Sequence, residues 1–220
     1  TLPVTVTYKV NSGSNQTINI TASSTATTTQ ATATPNTYAY TLVSVAYQTA
    51  PNCSNAISGT ATITVNAKPA APTSGGDKES CYRATVPNLT VTVGAGEVAD
   101  WYTTSSGGSS IKTGLSFNEA VDGSGPNPTP GTYTYYVEAR NTTSGCVSAT
   151  RTGINLVVRS VPIVSPTPAT VTVCQNDAVT LAANATPGAG ASSITSYAWS
   201  SGLAGNVSGG VVNPTASTTY

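Results

Sequence analysis

Aromatic residues and cysteines recur along this chain at one fixed offset. Tyr8 and Trp101 lie 93 residues apart, and so do Tyr40 and Tyr133, Cys53 and Cys146, and Cys81 and Cys174. Val65 and Val158 close two apolar stretches in the same register. Five coincidences at one spacing, in residue types this scarce, mark an internal repeat. A period of this size is that of a ~100-residue β-sandwich. The third copy drifts, since Trp199 follows Trp101 by 98 residues. An insertion near Gly188-Ala189-Gly190-Ala191 would account for the drift, because loops absorb added length at low cost.

The punctuation agrees with the period. Residues 66–73, Asn-Ala-Lys-Pro-Ala-Ala-Pro-Thr, follow the first copy, and residues 161–168, Val-Pro-Ile-Val-Ser-Pro-Thr-Pro, follow the second. Proline cannot donate to a sheet ladder and stiffens the chain, so both stretches are expected to be linkers. They delimit an immunoglobulin-like domain at 1–66 that lacks its N-terminal strands and a complete one at 70–159. A third domain, at 163–220, lacks its C-terminal strands. In the complete copy, residues 89–93 (Leu-Thr-Val-Thr-Val) alternate cleanly, and strands are expected again at 98–102, 132–139 and 154–158. Turn residues separate them, giving about seven short strands. The expected fold is all-β, as tandem antiparallel β-sandwiches in an extended array. The chain reads as a window cut from a longer array.

Composition supports this and excludes much else. Thr, Val and Tyr favour strands, while 20 Gly and 14 Pro interrupt the chain every few residues. Only 7% of residues are charged, and Lys+Arg and Asp+Glu are 8 each. A neutral chain has no electrostatic footprint for nucleic acid. No stretch approaches the ~20 apolar residues of a membrane span. There is no histidine, which removes the commonest general base. The eight acids are dispersed, so the paired carboxylates of a glycosidase are not expected and the chain is read as not an enzyme.

Four cysteines in a chain of extracellular composition point to disulfides. Cys81 and Cys146 bracket the complete copy and are expected to pair, tying one end of its sandwich. Cys53 and Cys174 occupy the matching slots of incomplete copies and are expected to be unpaired. A Cys53–Cys174 bridge is the alternative, which an extended array would hold too far apart. Tyr8, Trp101, Trp199, Tyr40 and Tyr133 are expected core aromatics, because a repeated unit must repeat its core. Tyr136 faces opposite to Tyr133 and Tyr135 and could be exposed beside Tyr102. No cofactor is expected. Calcium is the one candidate metal, with Asp77 and Glu79, or Glu119 and Asp122, as oxygen ligands; the plainer reading is solvated loop acids, since no D-x-D-x-D spacing occurs.

Residues 101–108 (Trp-Tyr-Thr-Thr-Ser-Ser-Gly-Gly), 130–137 (Pro-Gly-Thr-Tyr-Thr-Tyr-Tyr-Val) and 145–148 (Gly-Cys-Val-Ser) resemble the Ig-like repeats of giant Bacteroidetes surface proteins. Residues 173–181 and 197–200 resemble the PKD-like repeats of the same proteins. The resemblance implies export by type IX secretion to the cell surface or medium, in a gliding-motility adhesin or a large multidomain hydrolase. The expected role is a stalk or filament that projects or links functional ends. Its partners would be neighbouring repeats, with self-assembly, surface polysaccharide and the secretion machinery as further candidates. The rival role is carbohydrate or protein binding through exposed loops or Tyr136, or an accessory region beside a hydrolase. An exposed aromatic row would favour binding; buried aromatics would favour the stalk.

Overall fold

A computed structural model of the chain describes residues 3–22, 24–188, 193–200 and 208–218. The residues Ala189 to Ala191, where the insertion was expected, and Tyr220 lie outside the described residues. The chain divides into two compact units, Thr1–Pro69 with Asn141–Val147, and Ala70–Arg140 with Ser148–Tyr220. Three domains were expected. The third stretch has a small buried cluster of its own, Val179, Leu181 and Val212.

In the first unit, β1 (Val4–Val10), β2 (Gln16–Ile20), β3 (Asn36–Tyr47), β4 (Ser54–Ala56) and β5 (Thr60–Val65) make one antiparallel sheet around β3. Alternation collects its apolar side chains, because Val4 faces Ile20 and Val6 faces Ile18 across the β1–β2 ladder. Among the described residues of Thr1–Pro69 no side chain is fully buried. The apolar face borders a hollow of about 410 Å³ lined by Val6, Tyr8, Ile18, Ile20, Tyr40 and Leu42.

The central sandwich is built from two sheets. Strands β6 (Thr73–Ser74), β8 (Leu89–Thr92) and β11 (Ser116–Phe117) form the smaller one. Strands β7 (Lys78–Cys81), β9 (Glu97–Tyr102), β10 (Lys112–Thr113), β12 (Gly131–Asn141) and β13 (Thr152–Arg159) form the larger, in the order β10-β9-β12-β13-β7. A single helical turn, α1 (Glu119–Asp122), follows β11 and is capped by the Asn118 side chain. The chain switches sheets between β6 and β7. A Cβ on Gly75 would lie 2.2 Å from the Thr90 hydroxyl, and Gly76 has φ +87°, so only glycine permits this crossing. The crossing sets β7 parallel to β13.

Burial follows the strand period of two. Tyr135, Val137 and Ala139 of β12, and Ile154, Leu156 and Val158 of β13, are buried, while their neighbours are not. Trp101 stacks on Phe117 at 5.4 Å, and Phe117 meets Tyr135 at 4.3 Å. The indole N–H of Trp101 donates to the Gly114 carbonyl at 2.7 Å. Leu89 and Val91 close the cluster from the smaller sheet.

The third stretch folds as β14 (Ile163–Thr167), β15 (Val179–Thr186) and β16 (Gly209–Val212) in that order. The second expected linker is therefore largely strand. Its proline, Pro166, is tolerated because β14 is an edge. A shift of 93 residues lays β1, β2, β3 and β5 over β9, β10, β12 and β13. The order β14-β15-β16 matches β6-β8-β11. The first unit thus carries the counterpart of the larger sheet, and the third stretch that of the smaller.

Replacing Phe117, which is wholly buried, by alanine is expected to cost about 3–5 kcal/mol. Ile63→Ala, at a site 41% exposed, is expected to stay within about 1 kcal/mol. Urea unfolding followed by tryptophan fluorescence checks both.

Candidate functional site

The outward face of the larger sheet holds a lattice of charges that the low charge content of the chain makes conspicuous. Asp100 and Tyr102 project from β9, Glu138 and Arg140 from β12, and Arg151 immediately precedes β13. Arg140 donates to Asp100 through Nε at 2.6 Å and Nη2 at 3.2 Å, and Thr113 adds its hydroxyl. Tyr102 donates its hydroxyl to Glu138 at 2.6 Å, and Arg151 Nε donates to the other Glu138 oxygen at 3.0 Å. The Arg151 guanidinium lies 3.3 Å from the Tyr102 ring centroid, a cation–π contact of about 0.5–2 kcal/mol. Its Nη1 also donates to the carbonyls of Thr104 and Gly107, at 2.8 Å each. One arginine therefore fixes the β9–β10 turn to the sheet.

This packing moves the titrations. Burial alone would raise the Asp100 carboxyl, but Arg140 and Thr113 outweigh it and hold it below the usual carboxylate range. Burial, reinforced by Glu138, pushes the Tyr102 phenol up to about 12. Inside the core, burial and Glu119 push the Tyr135 phenol up as well.

The expected calcium ligands are occupied by protein groups. Asp77 accepts from the Asn155 amide and side chain at 2.8 and 3.0 Å. Glu79 pairs with Arg159 at 2.6 Å. Glu119 is not a solvated loop acid: it is 1% exposed and accepts from Tyr135 and from the Ser124 amide. Asp122 pairs with Lys112 and caps the Asn118 amide at 2.8 Å. Glu97 accepts from Gly94, and Asp177 from Cys174. With Asp100 and Glu138, all eight Asp and Glu side chains have a protein donor. Among the described residues, no group of three His, Cys, Asp or Glu could hold a metal.

The cysteines correct another expectation. All four are free, with Cys53, Cys81 and Cys174 exposed and Cys146 half-buried. Cys81 sits in register with Arg159, beside Val158, which faces Gly131 at the start of β12. Ser148 is held at the other end of β12, where its amide donates to Ala139 at 2.8 Å. Eight residues of strand at ~3.3 Å each separate Gly131 from Ala139, and Cys146 is two residues from Ser148. A Cys81–Cys146 bridge within the sandwich would need Cα atoms within ~7 Å. The pairing expected from sequence is not formed, and both thiols are free.

Of the expected core aromatics, Trp101 is fully buried and Tyr133 packs half-buried against the central cluster. Tyr8 and Tyr40 stack at 6.0 Å and stay half-buried. Trp199 packs half-buried on Val179, Leu181 and Val212. Tyr102 is covered by Arg151, and Tyr136 lies half-buried beside Gly153. A hollow of about 620 Å³ is lined in the third stretch by Val179, Leu181, Trp199 and Val212, without a charged side chain. No helix among the described residues is long and apolar enough to cross a membrane.

Residues 69–159 match the family model described as Ig-like domain, CHU_C associated. That stretch is the central sandwich. Among solved structures, fibronectin(III)-like modules of Clostridium thermocellum CbhA align at 14% identity over 71% of this chain and 78% of theirs, with a TM-score of 0.33. A titin I-band fragment, I67–I69, aligns at 14% identity over 85% and 67%, TM-score 0.33. Extracellular domains 3–5 of Drosophila OTK align at 13% over 83% and 63%, TM-score 0.29. No curated protein matches the sequence. Residues 69–159 are thus Ig-like by sequence, and the strand pairs of the described residues are antiparallel except for β7 with β13.

Sequence reasoning missed the lattice of Asp100, Glu138, Arg140 and Arg151. Its trace was the Glu-x-Arg spacing at 138–140 and an acid two residues before Tyr102, both outward phases of strands whose inward phase is apolar.

Because the Asp100 carboxyl titrates lower in the fold than in the unfolded chain, its stabilisation is present above ~pH 4 and is lost as pH falls below it. Asp100→Asn is expected to lower stability at pH 7 and to flatten the decline between about pH 5 and 2. Urea midpoints measured across that range check the sign.

Proposed function

We propose that the chain is a structural repeat region of a cell-surface or secreted protein, a stalk that holds functional ends apart, and that it has no catalytic role. The observation that carries this reading is where the chain enters and leaves the central sandwich. The Pro72 carbonyl accepts from the Thr152 hydroxyl at 2.6 Å, at the start of β13. The chain departs after Arg159, at the end of the same strand. Seven residues of strand, about 23 Å, lie between inlet and outlet, so each such unit adds length.

The chemistry is consistent with that role. Every side-chain carboxylate has a partner in the fold, Trp101, Phe117 and Tyr135 face inward, and Tyr102 is covered by Arg151. No exposed aromatic row of the kind a sugar-binding face needs is found among the described residues; Tyr47, 41% exposed, stands in the first unit. The family match, which residues 69–159 share with Bacteroidetes-linked Ig-like domains, supports an extracellular or outer-surface location. Export by type IX secretion and membership in an adhesin belong to the same proposal. Neighbouring repeats are its partners, and no nucleic acid is.

Stretching single molecules tests the mechanical reading. The central sandwich is expected to unfold in one step under load, releasing about 30 nm of contour length for its 90 residues at 3.3–3.6 Å each. Gradual extension at negligible force would overturn it, as would saturable binding of a surface polysaccharide that Tyr136→Ala abolishes.

A further inference from the structure

Residues 21–35 join β2 to β3 in the first unit. Nine of these fifteen are Ser or Thr, none is charged, and a proline closes the run. From residue 24 on they carry no strand or helix, and all but Gln30 are exposed. A connection of this length without structure of its own is uncommon in a compact domain and usually serves a function. The central sandwich shows what the same register otherwise holds. A shift of 93 residues lays the run over residues 114–128, where only Ser116 and Ser124 bear hydroxyls. There the chain forms β11 and α1, with Phe117 and Glu119 buried. Ser24 and Ala26 stand at those two positions in the first unit. A core-forming segment has been exchanged for a run of hydroxyls, so core packing does not account for it.

Two contacts pin the run to its sheet. Tyr40 donates its hydroxyl to the Gln30 side-chain oxygen at 2.6 Å, and Tyr38 donates to the Thr34 carbonyl at 3.0 Å. Ser24, Thr25, Ala26 and Thr28 border the hollow of about 410 Å³. Thr27, Thr29, Thr32 and Thr34 are exposed and do not line it. The loop is thus tethered while four threonines are presented to solvent. Its unit is poor in other solubilising groups. Residues 1–69 contain Lys9 and Lys68 and no Asp or Glu, although Leu42, Tyr47 and Ile63 are exposed. An exposed loop of small polar residues is also where proteases cut a chain.

We infer that Thr27, Thr29, Thr32 and Thr34 are O-glycosylated, so that neutral sugars supply the hydration and the protease shield that charge does not supply in this unit. Runs rich in Ser and Thr with proline have the composition of O-glycosylated stalks. The donor is a diphosphate-activated sugar. The threonine Oγ1 bonds to the anomeric carbon, and the bond from that carbon to the donor's phosphate oxygen breaks. The diphosphate leaves with the electron pair, and the hydroxyl proton passes to a base of the transferring enzyme. The tethers at Gln30 and Thr34 use a side-chain amide and a backbone carbonyl, so the modification leaves them in place.

This inference rests on the surface or secreted reading, and its test separates the two. The protein is isolated from outside its producing cells and digested, and the peptides covering residues 24–35 are weighed and fragmented by electron transfer. Their masses are expected to exceed the sequence by whole hexose or N-acetylhexosamine residues, placed on Thr27, Thr29, Thr32 and Thr34. A variant carrying Thr27→Ala, Thr29→Ala, Thr32→Ala and Thr34→Ala, made in the same cells, is expected to lose the added mass and to keep its β-sheet circular dichroism. The native protein is expected to resist subtilisin in this loop, where the same chain made by cell-free translation, which adds no sugar, is cut. Peptides at the bare sequence mass, sugar at equal occupancy on the exposed serines of residues 105–110, or equal cutting of the two proteins would overturn it. A bare loop in a protein that still unfolds under load in discrete steps would overturn the glycosylation and leave the stalk standing.

Discussion

The stack of Trp101, Phe117 and Tyr135 holds the central sandwich together, and most other features depend on it. Each residue comes from a different strand, β9, β11 and β12, and Phe117 bridges the two sheets. The chain has one Phe, two Trp and no Met, so little large apolar volume is present elsewhere to replace it. The stack also explains why Glu119 is buried. The carboxylate follows Phe117 by two residues and receives the Tyr135 hydroxyl, so the polar end of the stack is satisfied inside the protein, as buried polar groups require.

Outside the core, the same economy governs charge. Sixteen charged residues serve a 220-residue chain, and four ion pairs in the central sandwich engage eight of them. Asp100 with Arg140 and Glu138 with Arg151 lie on the sheet face, where partial burial makes paired charges matter more than at an open surface. Arg151 extends that face to the β9–β10 turn. A lattice with every acceptor occupied stiffens a domain, which accords with the mechanical role proposed for it.

The sequence disclosed what depends on period and left hidden what depends on register. Alternation placed Leu89 and Val91, Tyr133 and Tyr135 on inward faces, and the 93-residue offset marked Trp101 as a repeated position. The cysteines misled because bracketing a domain in sequence says nothing about which end of a sheet each residue reaches. That is decided by the Gly75–Gly76 crossing, which lays β7 parallel to β13. Glu119 was read as a loop acid because a polar residue in a short helical turn gives no sign that it folds back under Tyr135. Asp100, Glu138, Arg140 and Arg151 meet only across strands, so no local pattern pairs them. Pro166 suggested a linker because a proline in an edge strand and a proline in a connection look alike before the edge is known.

The central claim is that a rigid, fully satisfied sandwich lies within the chain, and native-state hydrogen exchange tests it most directly. The amides of Tyr135, Val137, Ile154 and Leu156, all on strands flanked by others, should exchange only through global unfolding, with free energies that match the denaturant value. The amides of β1 and β3, whose sheet has no fully buried side chain, should exchange faster. Exchange of β12 and β13 as fast as that of β3 would mean that the Trp101–Phe117–Tyr135 stack does not hold the sheets together, and the account would fail.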